Sequence, residues 1–252
     1  FRFHPEWQAS VAASQRFVIS DEHPLEGDIS PVTVSSVFAC EASEATCYEA
    51  ELAHGNGAQK TFQLRTSWRE FDRRSNRVAN GLHGLGVARG DRVVVLMHNS
   101  AEMLEAIWGI LKAGAVAVPL NLSITDDAVV AMTTDSAAVA LVASGDQCAR
   151  IEAVRARLAG VGANAFIGHE AGLPGWQDFP AWRDAQPSDP PAMPLADDDE
   201  CNIIYSSGTT GLPKGIVHTH GCRYDWGTDL AIALRYRSDC VTVCSLGLYS
   251  NI

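Results

Sequence analysis

Residues 201–220 read Cys201-Asn202-Ile203-Ile204-Tyr205-Ser206-Ser207-Gly208-Thr209-Thr210-Gly211-Leu212-Pro213-Lys214-Gly215-Ile216-Val217-His218-Thr219-His220. The first five residues include a short apolar, β-branched run, as a buried parallel strand does. The last five also read as extended. Between them lie four hydroxyls, three glycines, one proline and one lysine. Glycine takes φ > 0 at little cost and lets backbone N–H groups converge on a ligand. The hydroxyls add donors, Lys214 adds a point charge suited to phosphate, and Pro213 stiffens the approach to it. The stretch suits a polyphosphate.

A Walker-type loop, G-x-x-x-x-G-K-[ST], is excluded at two positions. Pro213 precedes the lysine, and Gly215 follows it where that loop needs a hydroxyl for Mg²⁺. A plain Ser/Thr/Gly surface turn has no reason to end in Pro-Lys-Gly. The stretch closely resembles the phosphate-binding loop of the adenylate-forming superfamily: acyl-CoA ligases, aryl-CoA ligases, luciferases and peptide-synthetase adenylation domains. Thr209-Thr210 resembles the CoA-ligase branch, since the peptide-synthetase branch usually has Ser-Thr there.

The 252 residues allow one large α/β domain or two small ones, and 46% hydrophobic residues allow a sizeable core. A formal net charge of −11 argues against nucleic acid or an anionic membrane surface as the main partner. Seven scattered cysteines without a C-x-x-C pair read as free thiols in a reducing compartment. The chain opens Phe1-Arg2-Phe3-His4-Pro5 with no long apolar stretch, and Met103–Leu120 is interrupted by Glu105, Lys112 and Pro119. A soluble cytoplasmic protein without a membrane span is expected. Asp197-Asp198-Asp199-Glu200 reads as a solvated strand entry, because three adjacent carboxylates cannot all face one ion. His218 and His220, without carboxylate or cysteine partners, read as structural rather than metal-binding.

Upstream, the pattern predicts a helix over Pro31–Ala42 and a hairpin of Thr46–Leu52 with Lys60–Leu64 around His54-Gly55-Asn56-Gly57. Ser67-Trp68-Arg69-Glu70 fits a capping box, with Ser67 as N-cap and Glu70 reaching back. Phe71, Val78 and Leu82 follow at helical spacing, and Gly84 and Gly86 offer a stop. A buried strand at Arg92–Met97 precedes a helix, capped by Asn99 or Ser100, that ends at Gly114. Helices near Asp126–Thr134 and Asp146–Leu158 alternate with strands at Val139–Ala143 and Ala165–Ile167. Prolines at 187, 190, 191 and 194 mark a linker. Beyond the glycine-rich loop, Gly221–Tyr236 reads as a helix with Trp226, Leu230 and Ala233 on one face, followed by a strand at Val241–Cys244. The alternation predicts an α/β fold, a mainly parallel sheet covered by helices on both faces. The organisation expected is an extension over 1–30, an α/β subdomain over 31–195, and a nucleotide-binding segment starting within 196–252.

Three further stretches carry the resemblance. Thr66-Ser67-Trp68-Arg69-Glu70-Phe71 is similar to the superfamily's first motif, T-Y-x-E-L, and Leu111–Leu120 closely matches the second. Ser245-Leu246-Gly247-Leu248-Tyr249-Ser250 resembles the fourth, L-P-L-F-H, with Gly247 in place of proline and Ser250 in place of histidine. The resemblance implies the N-terminal part of the large adenylation domain of an AMP-forming acyl- or aryl-CoA ligase, as used in fatty acid metabolism. Such an enzyme takes a small carboxylic acid, ATP with Mg²⁺, and CoA. It implies Ser206, Ser207, Gly208, Thr209, Thr210, Gly211 and Lys214 at the β,γ-phosphates, the Ser206 hydroxyl near the metal, and Tyr249 and Ser250 at the acyl pocket. It implies no catalytic residue within these 252. The remaining large-domain motifs and a C-terminal domain are expected downstream, so this piece alone is expected to be inactive and to self-associate. A medium-chain or aromatic acid is expected rather than acetate. Two alternatives stand: a peptide-synthetase-type adenylation domain, and a truncated, non-catalytic homologue acting as an interaction protein.

Overall fold

The computed structural model describes residues 16–19, 33–34, 46–52, 62–206, 213–236, 241–244 and 247–249. The first strands are β1 (Arg16–Ile19), β2 (Thr33–Val34), β3 (Thr46–Leu52) and β4 (Phe62–Ser67). β3 and β4 form the expected antiparallel pair, Leu52 facing Phe62 and Thr46 facing Ser67. The helix expected over Pro31–Ala42 is not formed at Thr33–Val34, which lie antiparallel on Glu51 and Ala50. Two β-branched residues beside an open strand edge pair with it rather than coil. The rest of that stretch lies outside the described residues.

Helix α1 (Trp68–Gly84) starts where the sequence requires: Ser67 Oγ accepts from the Glu70 N–H at 3.2 Å. The other half of the capping box is replaced, since the Glu70 carboxylate accepts from Arg74 Nε at 2.8 Å, one turn on. Phe71, Val78 and Leu82 are buried, and Gly86 at φ +85° turns the chain out of the helix. Next come β5 (Arg92–Leu96), α2 (Ala101–Lys112), β6 (Val116–Pro119), α3 (Asp126–Asp135) and β7 (Ala138–Ser144). Then follow α4 (Gly145–Val154), β8 (Phe166–His169), β9 (Gln177–Asp178) and α5 (Phe179–Asp184). The described chain ends with β10 (Glu200–Ser206), β11 (Lys214–Thr219), α6 (His220–Ala233) and β12 (Val241–Cys244), the last pairing in parallel with β1.

The main sheet runs β11-β10-β6-β5-β7-β8-β9, parallel throughout except for β11. From β5 the chain steps one way to β6, then crosses back over β5 to β7 and on to β8. Right-handed crossovers taken in opposite directions put their helices on opposite faces. Accordingly, α1, α2 and α5 pack together, while α3 packs with α4. Val93–Met97, Val116–Val118 and Ala140–Ala143 are buried between these layers, which explains their unbroken apolar character. The direction of crossing reverses at β5, and the carboxyl ends around such a reversal form a crevice. The Pro-rich linker is strapped onto α1: Asn80 Nδ2 donates to the Pro187 and Asp189 carbonyls at 2.8 and 3.0 Å.

One buried feature has no counterpart in the sequence pattern. Glu105 on α2 has no exposed surface and meets Arg183 of α5 together with Arg74 of α1, the latter at 3.2 Å. Burial pushes its carboxyl up, against the pull of the two guanidiniums. Arg183 also holds both Asp184 oxygens, at 2.8 and 3.1 Å. At the other side of the sheet, α6 and β11 carry an apolar face that the described residues leave open, with Trp226 48% and Ile232 70% exposed. Among the described residues no helix is long and apolar enough to cross a membrane.

Candidate active site

The strands on either side of the glycine-rich stretch pair antiparallel with each other at the edge of a parallel sheet. β10 runs parallel to β6 with Asn202 beside Ala117, and its Cys201, Ile203 and Ile204 are buried. β11 returns antiparallel, pairing Tyr205 with Gly215 and Ser206 with Lys214. The first and last members of the expected phosphate set therefore face each other across the base of the loop, and both are exposed. Ser207, Gly208, Thr209, Thr210 and Gly211 lie outside the described residues. Because β10 is parallel to β6, its carboxyl end lies on the same edge of the sheet as those of β5 and β6.

Two contacts secure the hairpin base. A Cβ at Gly215 would come within 2.9 Å of Ile203 Cγ2 and 3.3 Å of the Tyr205 ring, so only glycine lets β11 lie this close. The Tyr205 hydroxyl donates to Asp135 Oδ2 at 2.6 Å, with the Met132 carbonyl oxygen at 3.2 Å. Burial first, and then the Asp135 hydrogen bond, hold the phenol well above its usual range, so it stays a donor. This anchor to α3 escapes sequence reasoning. The only signal is a tyrosine that directly follows two buried isoleucines.

His218 lies on β11 opposite Asn202, and His220 opens α6. Both are buried, and burial pushes both below the ordinary histidine value. The His218 ring packs on Trp226 with centroids 5.3 Å apart. No group of three His, Cys, Asp or Glu arranged to hold a metal occurs among the described residues. Burial raises the Cys201 thiol to about 11 and the Cys148 thiol to about 12, so neither supplies a thiolate. Asp199 is occupied at the entry to β10: its carboxylate accepts from the Ala196 N–H at 2.8 Å and pairs with Arg89.

The second part of the expected site reaches the carboxyl end of β5. Of Asn99 and Ser100, the serine caps α2, its Oγ accepting from the Met103 N–H at 3.1 Å. The Asn99 side-chain oxygen accepts instead from the Leu248 N–H at 2.9 Å. Tyr249 is half-buried and packs on the core, as does Leu248. Gly247 is buried, and a Cβ there would overlap the Tyr249 ring. Ser250 lies outside the described residues. On the neighbouring strand, Ser144 Oγ accepts from the His98 N–H at 3.0 Å, and His98 Nε2 lies 3.0 Å from Asp146 Oδ1. These bonds knit the ends of β5 and β7 together and were not foreseeable from spacing.

Residues 48–244 match the family model described as AMP-binding enzyme. The long-chain-fatty-acid–CoA ligase FadD13 of Mycobacterium tuberculosis is 34% identical over 177 residues, covering 69% of this chain and 34% of that protein. A 3-hydroxybenzoate–CoA/4-hydroxybenzoate–CoA ligase of Thauera aromatica is 34% identical over 172 residues, covering 67% of this chain and 33% of the enzyme. Among solved structures, the anthranilate CoA ligase AuaEII in complex with anthranoyl-AMP superposes with a TM-score of 0.59 at 33% identity, over 62% of this chain and 30% of that one. The chain spans about a third of the length of these curated relatives.

Proposed function

Because this chain belongs to the AMP-binding enzyme family, we propose that it forms the N-terminal part of an AMP-forming acid–CoA ligase. In this reading a carboxylate attacks the α-phosphate of ATP, pyrophosphate leaves, and the thiol of CoA then takes the acyl group. The observation that carries the reading is the pairing of Ser206 with Lys214 across the base of a hairpin loop at the carboxyl edge of the sheet. Ser206, Ser207, Gly208, Thr209, Thr210, Gly211 and Lys214 then bind the β,γ-phosphates. Their work is to hold the leaving group in line and offset its growing charge. The Ser206 hydroxyl is a hard oxygen donor suited to Mg²⁺, which keeps water and phosphate oxygens rather than an all-protein cage. Tyr249 and Ser250 line the acyl pocket, whose ring suits a medium-chain or aromatic acid better than acetate. The nucleotide-binding segment starts at about residue 196, after the extension over 1–30 and the α/β subdomain over 31–195. We assign the protein to the reducing cytoplasm, supported by the free thiols of Cys148, Cys201 and Cys222.

Lys214→Ala tests this. Loss of one charge-assisted phosphate contact should weaken Mg·ATP binding by about 1.5–3 kcal/mol, toward the lower end because Lys214 is exposed. Calorimetric titration and acid-dependent ATP–pyrophosphate exchange, on the protein that carries this chain, measure it. Equal affinity and equal exchange in the variant would remove Lys214 from the site.

A further inference from the structure

Building on that acid–CoA ligase reading, we propose that Asn99 is a positioning residue for acid selectivity: through the Leu248 N–H it holds Tyr249 at the carboxyl end of β5. Three observations converge on this. First, Asn99 stands beside a helix start that does not use it, because Ser100 supplies the cap. Its oxygen is directed instead to a backbone N–H 149 residues further along the chain. Second, Gly247 is buried and without room for a Cβ, because the Tyr249 ring folds back over it. Third, Leu248 lies between these two and is itself packed on the core.

The glycine gives the ring its space, and the asparagine fixes the backbone on which the ring is carried. Proline at 247 would meet the ring as an added Cβ does, so the departure from L-P-L-F-H and the ring's placement are one device. Location gives the device its purpose. β5 is the strand where the crossovers reverse, and the phosphate hairpin opens from β10, separated from β5 only by β6. An acid whose carboxylate reaches a nucleotide on that loop directs its acyl part toward the crevice at β5. A ring held still there selects flat or elongated apolar acids by shape. A ring released by loss of the Asn99 bond accommodates small acids more readily and holds the preferred acid less well.

The experiment compares Asn99→Ala, Asn99→Asp and Gly247→Ala with the parent, in the protein that carries this chain. Pyrophosphate exchange is measured across benzoate-type, medium-chain and acetate substrates. Asn99→Ala should raise KM for the preferred acid about fivefold, as loss of one neutral hydrogen bond does, and narrow its advantage over acetate while KM for ATP stays constant. Asn99→Asp keeps an oxygen acceptor in place and should restore the parent selectivity. Gly247→Ala should shift selectivity as Asn99→Ala does. Hydrogen exchange at the Leu248 amide reads the clamp directly: protected in the parent and in Asn99→Asp, about tenfold faster in Asn99→Ala. An unchanged Leu248 rate, or equal losses in KM for ATP and acid, overturns the proposal. A parent that exchanges pyrophosphate with no acid, although Leu248 responds as expected, overturns the ligase reading and the selectivity role together.

Discussion

Replacing Gly215 with alanine asks whether the hairpin base can yield. The new methyl would stand 2.9 Å from Ile203 Cγ2 and 3.3 Å from two atoms of the Tyr205 ring, against an ideal carbon–carbon separation of about 3.5–4.0 Å. Neither neighbour can withdraw. Ile203 is buried among core residues, and Tyr205 is held at its far end by Asp135. β11 must move instead, at a cost of about 1–3 kcal/mol for overpacking. Alanine recovers about 0.4–1 kcal/mol by restricting the unfolded chain, leaving a net loss of about 1–2 kcal/mol. Since Ser206 and Lys214 form the next rung, the displacement passes directly to the lysine. Mg·ATP affinity should fall about 5- to 30-fold if the whole loss is expressed in binding. Urea unfolding and calorimetric titration of Gly215→Ala measure the two effects separately. Affinity within twofold of the parent, with an unshifted unfolding midpoint, would refute the argument that the glycine sets the position of Lys214.

Two predictions concern stability. Glu105→Ala leaves the Arg183 guanidinium buried with Asp184 as its remaining carboxylate, so the loss should be about 2–3 kcal/mol, less than for a buried pair broken outright. A double-variant cycle with Arg183→Ala in urea checks it, and strict additivity would show that the two side chains are not coupled. Burial holds His218 and His220 below their ordinary 6.5, so the unfolded chain takes up protons first as the pH falls. The stability present above about pH 6.5 is therefore lost as pH drops toward the folded values. The urea midpoint should decline between about pH 7.5 and 5.5 and decline less in a His218→Gln/His220→Gln variant; the same slope in both proteins would exclude these residues as the cause.

What could be read from the sequence was what local pattern encodes. Apolar runs at Arg92–Met97 and Val139–Ala143 became central strands, and Ser67 capped its helix, because period and capping depend on neighbours a few residues away. The segments on either side of the glycine-rich stretch were legible for the same reason: both read as extended, and they form β10 and β11. What escaped depends on partners far along the chain. Glu105 reads as an interruption of an apolar segment until Arg183, 78 residues later, closes on it. Tyr205 reads as the end of a strand until Asp135, 70 residues earlier, accepts a hydrogen bond from its hydroxyl. Asn99 reads as one of two equivalent caps until Leu248 separates the pair. Thr33–Val34 failed in the opposite direction, a helical spacing overruled by an adjoining strand edge.

The sheet order also carries a consequence for synthesis. β10 joins β6 rather than the strand made just before it, and Asn202 meets Ala117 only after 85 further residues have been added. At about 5–20 residues per second a ribosome needs about 4–17 s for that interval, during which the outer edge of β6 waits without its partner. Val116 and Leu120 turn their N–H groups toward β5, so the alternation of a strand directs residue 119 toward the waiting edge. That residue is Pro119, which has no N–H to offer. A nascent chain whose half-built sheet lacks a donor at that point is a poorer template for a neighbouring chain on the same messenger. Of the seven described strands of the main sheet, β10 and β11 are the last two to be made, so that edge is covered only when they dock.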